Sequence, residues 1–384
     1  MKKKLLFLIM IMGVFIISGC GKTSESSVIK DLTKKINNAK SYYIEGTLEI
    51  VNNEDVYTYD VKVSYKEKDN YKVDLVNTTN NHEQIILRNK EGVYVVTPRI
   101  NKSFKFQSDW PYNNSQVYLL GPLLEDIIND ENRTFEKNDS GSKILVAASY
   151  PNNSKLVKQE ILLDKNNNIK KVTVLDSNNV AQITMNFTKI DLGSKLKDSI
   201  FELKEIIDVK EERENTEKKD NTTNENKNTN ENTNVNENKN TNENTNINEN
   251  KSTNESTKDK EDKTEETKQT SSIEDVIYPM YIPANTYLSN KEKVSKESGE
   301  RLILTFDGDN PFMLIEETVT YEKEHLIVPT YGELEVMAST VAIVNDNSVN
   351  WIDNNIEYYV VSDKLSKSEL LDIARSISVL PVSK

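Results

Sequence analysis

One stretch in the middle of the chain, residues 209–272, has almost no apolar side chains and cannot contribute to a buried core. Asn, Thr, Glu and Lys dominate it, and the run Asn-Glu-Asn-Lys-Asn-Thr at 224–229 recurs twelve residues later. Such a composition cannot offset the conformational entropy that ordering would cost. A stacked solenoid would need an apolar residue in every coil, and only Val235 and Ile247 are candidates. We therefore predict a disordered linker over residues 204–272.

The residues before Cys20, the only cysteine of the chain, have the pattern of an export signal. Lys2, Lys3 and Lys4 precede an uncharged, largely apolar run that ends at Ile17 and is shorter than the roughly 20 residues that span a bilayer. Small residues then stand directly before the cysteine, which resembles a bacterial lipobox.

That resemblance implies a signal peptide over residues 1–19, cleavage before Cys20 and diacylation of its thiol. Two acyl chains hold a protein firmly at a bilayer. We therefore expect the chain to be lipid-anchored at the extracytoplasmic face of the cell membrane. The alternative is an uncleaved signal anchor in which Cys20 has no role.

The segment from Cys20 to residue 203 is expected to be rich in antiparallel strands. Its first element is a short amphipathic helix over 28–39, and a second helix is expected over 117–128. Between and after these helices, apolar and polar residues alternate, which is typical of strands with one buried and one solvated face. The expected strands are 44–50, 57–65, 71–75, 84–88, 93–97, 104–107, 144–148, 156–163, 169–175 and 181–190.

Asp164–Asn168 is a predicted hairpin turn, because Asn and Asp tolerate positive φ. A sheet of this many sequential strands curls, and its apolar concave face must be covered. The two helices are the only cover that this segment offers. We therefore predict an α+β fold in which a curved antiparallel half-barrel is covered by helices.

Three stretches carry a resemblance to a known superfamily: Tyr-Tyr-Ile-Glu-Gly at 42–46, Glu-Gly-Val-Tyr-Val-Val-Thr-Pro at 91–98, and the hairpin at 161–172. With the lipobox, they resemble the LolA-like superfamily, whose fold is such a half-barrel. The whole chain is similar to sporulation and germination lipoproteins of spore-forming Firmicutes, the YdcC and GerS type. The superfamily's carrier is soluble, whereas this chain is expected to keep its own acyl anchor.

The segment over 273–384 is predicted to form a smaller α+β domain. Strands are expected at 301–306, 312–317, 333–344, 349–352 and 356–362. Ser366 and Glu369 have the spacing of a capping box, and an apolar stripe follows them in a closing helix. The stretch from Val349 to Ile377 resembles small extracytoplasmic domains attached to bacterial regulators.

Candidate chemical sites fail on residue type or spacing. The net charge of −13 argues against nucleic acid as a partner. His82 and His325 lack the spacing of a zinc site, no recognisable nucleophile motif accompanies either one, and both are expected at the surface. Asp307–Asn310 lacks the glutamate that a calcium loop needs and is better explained as a tight turn. We predict no catalytic, cofactor-binding or metal-binding residues and no cofactor.

The sequence therefore favours a non-enzymatic, membrane-anchored binding or regulatory lipoprotein. The resemblance implies a role in sporulation or germination, through a protein partner in the envelope or the spore-cortex machinery. The alternative is a lipid- or lipoprotein-binding carrier, or an envelope-stress sensor of the anti-sigma regulator type, with an acyl chain in the concave face. If the concave face binds no acyl chain, it is an ordinary packed core. An envelope hydrolase would need a site that the sequence does not reveal.

Overall fold

The computed structural model describes residues 24–208, 272–273, 275–296, 299–321 and 324–377. Most of these residues lie in two sheets, which we call the N-terminal sheet and the C-terminal sheet. The N-terminal sheet has twelve strands in the order β15-β6-β5-β4-β3-β2-β1-β11-β10-β9-β8-β7. Its strands are β1 Ser41–Asn52, β2 Asp55–Lys66, β3 Asn70–Asn77, β4 Glu83–Asn89, β5 Gly92–Thr97, β6 Lys102–Phe106, β7 Thr134–Asn138, β8 Gly141–Ala147, β9 Leu156–Asp164, β10 Ile169–Asp176, β11 Ala181–Leu192 and β15 Leu326–Thr330.

The strands β1 to β11 run antiparallel, and the chain returns so that β11 pairs with β1. A register shift occurs at this pairing, between Glu45 and Gly46. A Cβ at Gly46 would collide with the backbone oxygen of Asn186, so only glycine fits beside the shift. Asn167 adopts φ of 60° in the turn between β9 and β10, which confirms the predicted hairpin.

Two helices cover one face of the N-terminal sheet. Helix α1, Glu25–Asn37, begins after Ser24, whose side chain accepts a hydrogen bond from the Ser27 amide. Helix α2, Leu120–Asn129, packs against α1. Both helices bury an apolar stripe in the same core as the inner residues of the sheet: Val28, Leu32 and Ile36 from α1, and Leu120, Leu123, Leu124 and Ile127 from α2.

The opposite face of the N-terminal sheet is covered by residues that follow β11. Phe201 and Ile206 pack against β4 and β5 residues, including Leu87 and Tyr94. Residues 203–208 are helical, so ordered packing continues into the range assigned to the linker by sequence. The rest of the predicted linker lies outside the described residues, apart from residue 272.

The C-terminal sheet has seven antiparallel strands in the order β12-β13-β14-β19-β18-β17-β16. Helix α3, Lys367–Arg375, follows the last strand, and Ser366 and Glu369 form the predicted capping box. Leu370, Leu371 and Ile373 pack from α3 into the core of this sheet. The strands are β12 Thr286–Lys296, β13 Gly299–Gly308, β14 Phe312–Thr318, β16 Glu333–Val336, β17 Val341–Val344, β18 Ser348–Asp353 and β19 Ile356–Val361.

The two sheets belong to one compact unit, made of the segments on either side of residues 209–270. The strand β15 pairs in parallel with β6, so the C-terminal segment supplies the edge strand of the N-terminal sheet. Residues of the C-terminal segment also belong to the core of that sheet: Val319, Leu334, Ala338, Val341, Ile343 and Ile352. The expectation that α1 and α2 alone cover the concave face is therefore wrong.

The predicted α+β class is confirmed, with open antiparallel sheets and few helices. The stretch expected as one strand over 333–344 is in fact β16 and β17, which are joined by a turn. Three strands were not expected from the sequence, namely β7, β12 and β15. In the part of the chain that the structure describes, no helix is long and apolar enough to cross a membrane.

Candidate functional site

The residues singled out from the sequence do not converge on one site. Cys20 lies outside the described residues, so its lipidation stays a prediction. His325 precedes β15, and its Nε2 lies 3.0 Å from the Ser103 hydroxyl of β6. His82 precedes β4 and is 8% exposed, so the expectation of a surface residue is wrong for this histidine.

The turn after β3 explains the burial of His82. The Asn77 amide donates to the carbonyl of His82, which returns the chain against the sheet. Burial lowers the pKa of His82 to about 4, and the charge of Arg99 adds to this effect. The ring is therefore neutral at physiological pH.

The candidate calcium loop forms a turn between β13 and β14, as expected. The amide of Asp309 donates to the Asn285 carbonyl, and the Asp309 carboxylate accepts a hydrogen bond from the Asn285 side chain. Across the described ranges, no group of three or more His, Cys, Asp or Glu side chains is placed to hold a metal ion.

The concave face of the N-terminal sheet is filled by side chains. Leu48, Val61 and Val95 are at most 2% exposed, and Trp110 is fully buried with its ring edge-on to Tyr71. Two cavities at the margins of this core have volumes of about 120 and 220 Å³. Both are smaller than the roughly 300–1,000 Å³ that small-molecule sites usually offer.

The larger cavity lies between α1 and the strands β10 and β11. Leu32, Ile36 and Phe187 supply apolar walls, and Lys35 and Lys189 also line it. Apolar walls beside lysines would suit the acyl chain and anionic headgroup of a lipid.

The smaller cavity lies where the two sheets meet, beside a buried ion pair. Arg375 of α3 donates from Nη2 to Oε1 of Glu335 at 2.9 Å, and Asn152 donates to the other carboxylate oxygen at 3.4 Å. Glu335 is 8% exposed, and burial raises the pKa of this carboxyl, while the Arg375 guanidinium opposes the rise. Three segments far apart in sequence thus meet at one buried carboxylate.

Other buried polar contacts continue this junction, which we call the seam and define by the residues that bond across it. Lys102 of β6 bridges both carboxylate oxygens of Glu357 at 3.0 Å. The side-chain oxygen of Gln84 accepts from the hydroxyl of Thr340 and from the amide of Val341. Each bond fixes the direction of approach as well as the distance. The seam therefore acts as a structural clamp between the two sheets.

Glu316 is another buried carboxylate, and it lies within the C-terminal sheet. It is fully buried, and its Oε1 accepts a hydrogen bond from the Ile277 amide at 3.1 Å. Its Oε2 has no hydrogen-bond partner among the described residues, and neither has the nearby hydroxyl of Tyr358. Burial raises the pKa of Glu316 to about 7. No sequence pattern marks this group, since acidic residues are abundant throughout the chain.

This architecture defines an α+β protein of two open, largely antiparallel sheets that are clamped through a polar seam. Residues 1–201 match the model of the sporulation protein YdcC-like family, and the chain belongs to this family. It is 27% identical to sporulation protein YdcC of Bacillus subtilis (strain 168) over 377 residues, which cover 98% of this chain and 97% of that protein.

Solved structures with some similarity have low TM-scores. A crystal structure of MucB aligns with a TM-score of 0.30 and 10% identity, covering 93% of this chain and 98% of that one. A chain from the structure of the Clostridioides difficile CwlD amidase in complex with the GerS lipoprotein aligns with a TM-score of 0.21 and 17% identity. It covers 46% of this chain and 98% of that chain.

Proposed function

We propose that this chain is a non-enzymatic binding factor that acts in sporulation or germination at the outer face of the cell membrane. Its similarity to a sporulation protein along almost the whole chain supports the biological role. The proposed mode of action rests on one observation, the filled concave face, in which Trp110 and the helices occupy the interior. A molecule of this kind acts through its outer surfaces.

The anchor is part of this proposal. Cys20 and the residues before it have the pattern of a lipoprotein signal. Two acyl chains on Cys20 would keep the folded unit close to the membrane. The partner would then be a protein of the envelope or of the machinery that modifies the spore cortex.

Deletion of the gene in its own host tests the proposal. We expect fewer heat-resistant spores, altered cortex modification or slower germination, and restoration by the wild-type gene. A gene that encodes Cys20→Ser should restore less function, although the folded unit is unchanged. Wild-type behaviour of the deletion strain in all three assays would refute the proposal.

A second candidate function is lipid binding, which the cavity beside α1 favours. Its apolar walls and lysines suit an acyl chain with an anionic headgroup, but its volume of about 220 Å³ requires α1 to move outward. Native mass spectrometry of the Cys20→Ser chain, purified from cells, would detect a retained lipid. A protein mass without added lipid, before and after incubation with anionic phospholipid, would exclude this function.

A further inference from the structure

Strand β12 is a long edge of the C-terminal sheet. It runs over eleven residues, Thr286–Lys296, and within the described chain it pairs only with β13. Every residue after Thr286 is exposed. An edge of this kind presents a row of unpaired backbone N–H and C=O groups that can pair with another strand.

The other sheet edges in the described chain are better protected. At the far side of the same sheet, β16 has four residues, two of them buried. In the N-terminal sheet, β15 contains Pro329, which has no N–H to donate. The remaining edge strand, β7, has only five residues. Length and openness therefore single out β12.

Apolar side chains lie beside this edge. Tyr278 is adjacent to β12, because the ammonium of Lys291 lies 5.8 Å from its ring centroid. Tyr278 is 45% exposed, and Met280, two residues further on, is 78% exposed. Tyr287, on the strand itself, is 61% exposed. Large exposed tyrosine and methionine side chains are enriched at protein–protein interfaces.

The charges along β12 indicate which kind of strand could pair with this edge. β12 has three lysines and one glutamate, whereas the whole chain has a net charge of −13. Lys293 and Lys296 bridge Glu300 and Glu317. Lys291 contacts Tyr278 and acts on the buried Glu316 through its charge, but it has no salt bridge among the described residues.

A second copy of this chain fits the edge poorly. If two β12 strands overlapped along their full length in a two-fold antiparallel pair, Lys291 of one copy would lie opposite Lys291 of the other. Like charges directly opposite each other destabilise a sheet. An acidic strand from a different protein would instead place carboxylates opposite Lys291, which has no salt bridge among the described residues.

We propose that β12 binds an extended, acidic segment of a partner protein as an eighth strand of the C-terminal sheet. Main-chain hydrogen bonds supply the affinity of such a complex, and side-chain pairs supply the selectivity. Carboxylates of the segment would face Lys291, and apolar residues on its other face would cover Tyr287. This inference rests on the proposed binding function and names the chemistry of the partner.

Hydrogen exchange of the full-length chain in detergent micelles tests the inference. The probe is a synthetic peptide in which glutamate alternates with valine, and the control peptide has lysine in place of glutamate. We expect the amides of residues 286–296 to exchange more slowly with the acidic peptide only. Lys291→Glu should weaken this binding about tenfold. The matched control is Lys137→Glu, in the edge strand β7, which should leave binding unchanged.

Three results would overturn the inference. These are no protection of β12, equal protection by the two peptides, or protection without peptide that rises with protein concentration, which would identify a second copy as the occupant. Failure here is separate from failure of the proposed function. A deletion strain can lose sporulation efficiency although β12 of the purified protein binds no peptide. Conversely, β12 can bind the peptide although the deletion strain sporulates normally.

Discussion

Glu316 couples the stability of the C-terminal sheet to pH. Its pKa of about 7 exceeds the value of 4.5 that an exposed glutamate would have, so the folded state holds a proton that the unfolded chain releases. The stabilisation is complete below pH 4.5 and is lost as the pH rises through about 7. The amide of Ile277, which donates to Oε1, connects this titration to the segment that enters the sheet.

We expect Glu316→Gln to remove this part of the pH dependence. The amide keeps an oxygen that can accept from Ile277, and it cannot ionise. Denaturant unfolding between pH 4.5 and pH 8 should give a flatter stability profile than that of the wild type. Glu292→Gln, at an exposed position of the same sheet, is the control and should retain the wild-type slope. An unchanged slope in Glu316→Gln would contradict the assignment.

The capping contacts at the start of helix α3 contribute stability in addition to its buried apolar residues. The hydroxyl of Ser366 accepts from the Glu369 amide at 3.4 Å, and the Glu369 carboxylate accepts from the Ser366 amide at 2.9 Å. Together they satisfy two backbone donors at the start of α3.

Ser366→Ala should therefore lower the free energy of unfolding by about 1 kcal/mol, measured by denaturant unfolding. Ser366→Asp retains a side-chain acceptor for the first turn and should lose much less. Equal losses in the two variants would mean that the cap contributes little and that Ser366 acts through packing.

Elements that bury one face could be predicted from the sequence. β3, and β1 as far as Ile50, alternate between buried and partly buried residues, and this period is visible in the order of their side chains. β12 was missed because it buries neither face and so has no such alternation. β15 was missed for another reason, since its place beside β6 depends on a parallel pairing between distant segments.

The seam, like the pairing of β15 with β6, could not be predicted from local sequence patterns. Glu335 stands in a short strand, and nothing in its neighbours marks it as buried. Its burial depends on Asn152, 183 residues earlier, and on Arg375, 40 residues later. Local patterns cannot reveal a site that exists only after two segments dock.

At the scale of the whole molecule, the seam determines whether the two sheets stay together. Arg375→Met removes the cation and leaves the Glu335 carboxylate buried without its charge partner, which typically costs about 3–5 kcal/mol. Denaturant unfolding should show this loss. The double variant Glu335→Leu with Arg375→Met should recover much of it, because no buried charge then remains. A double variant as unstable as the single one would show that the arginine acts mainly through its other contacts.

Membrane association of the whole molecule should depend on one side chain. If Cys20 is diacylated, the protein will sediment with membranes and require detergent for release. Cys20→Ser should move the protein into the soluble fraction, or retain the uncleaved leader, which gel mobility distinguishes. Lys22→Ser, two residues away, is the control and should remain with the membranes.

Because β15 pairs with β6, a cut in the chain between residues 209 and 270 would not separate the two sheets. One piece would contain β1 to β11, and the other would contain β15 and the C-terminal sheet, so each would lack surface that the other covers. A single break between residues 209 and 270 would then leave a two-chain complex that purifies as one particle. An acyl group on the first fragment would hold the second at the membrane without a covalent link between them.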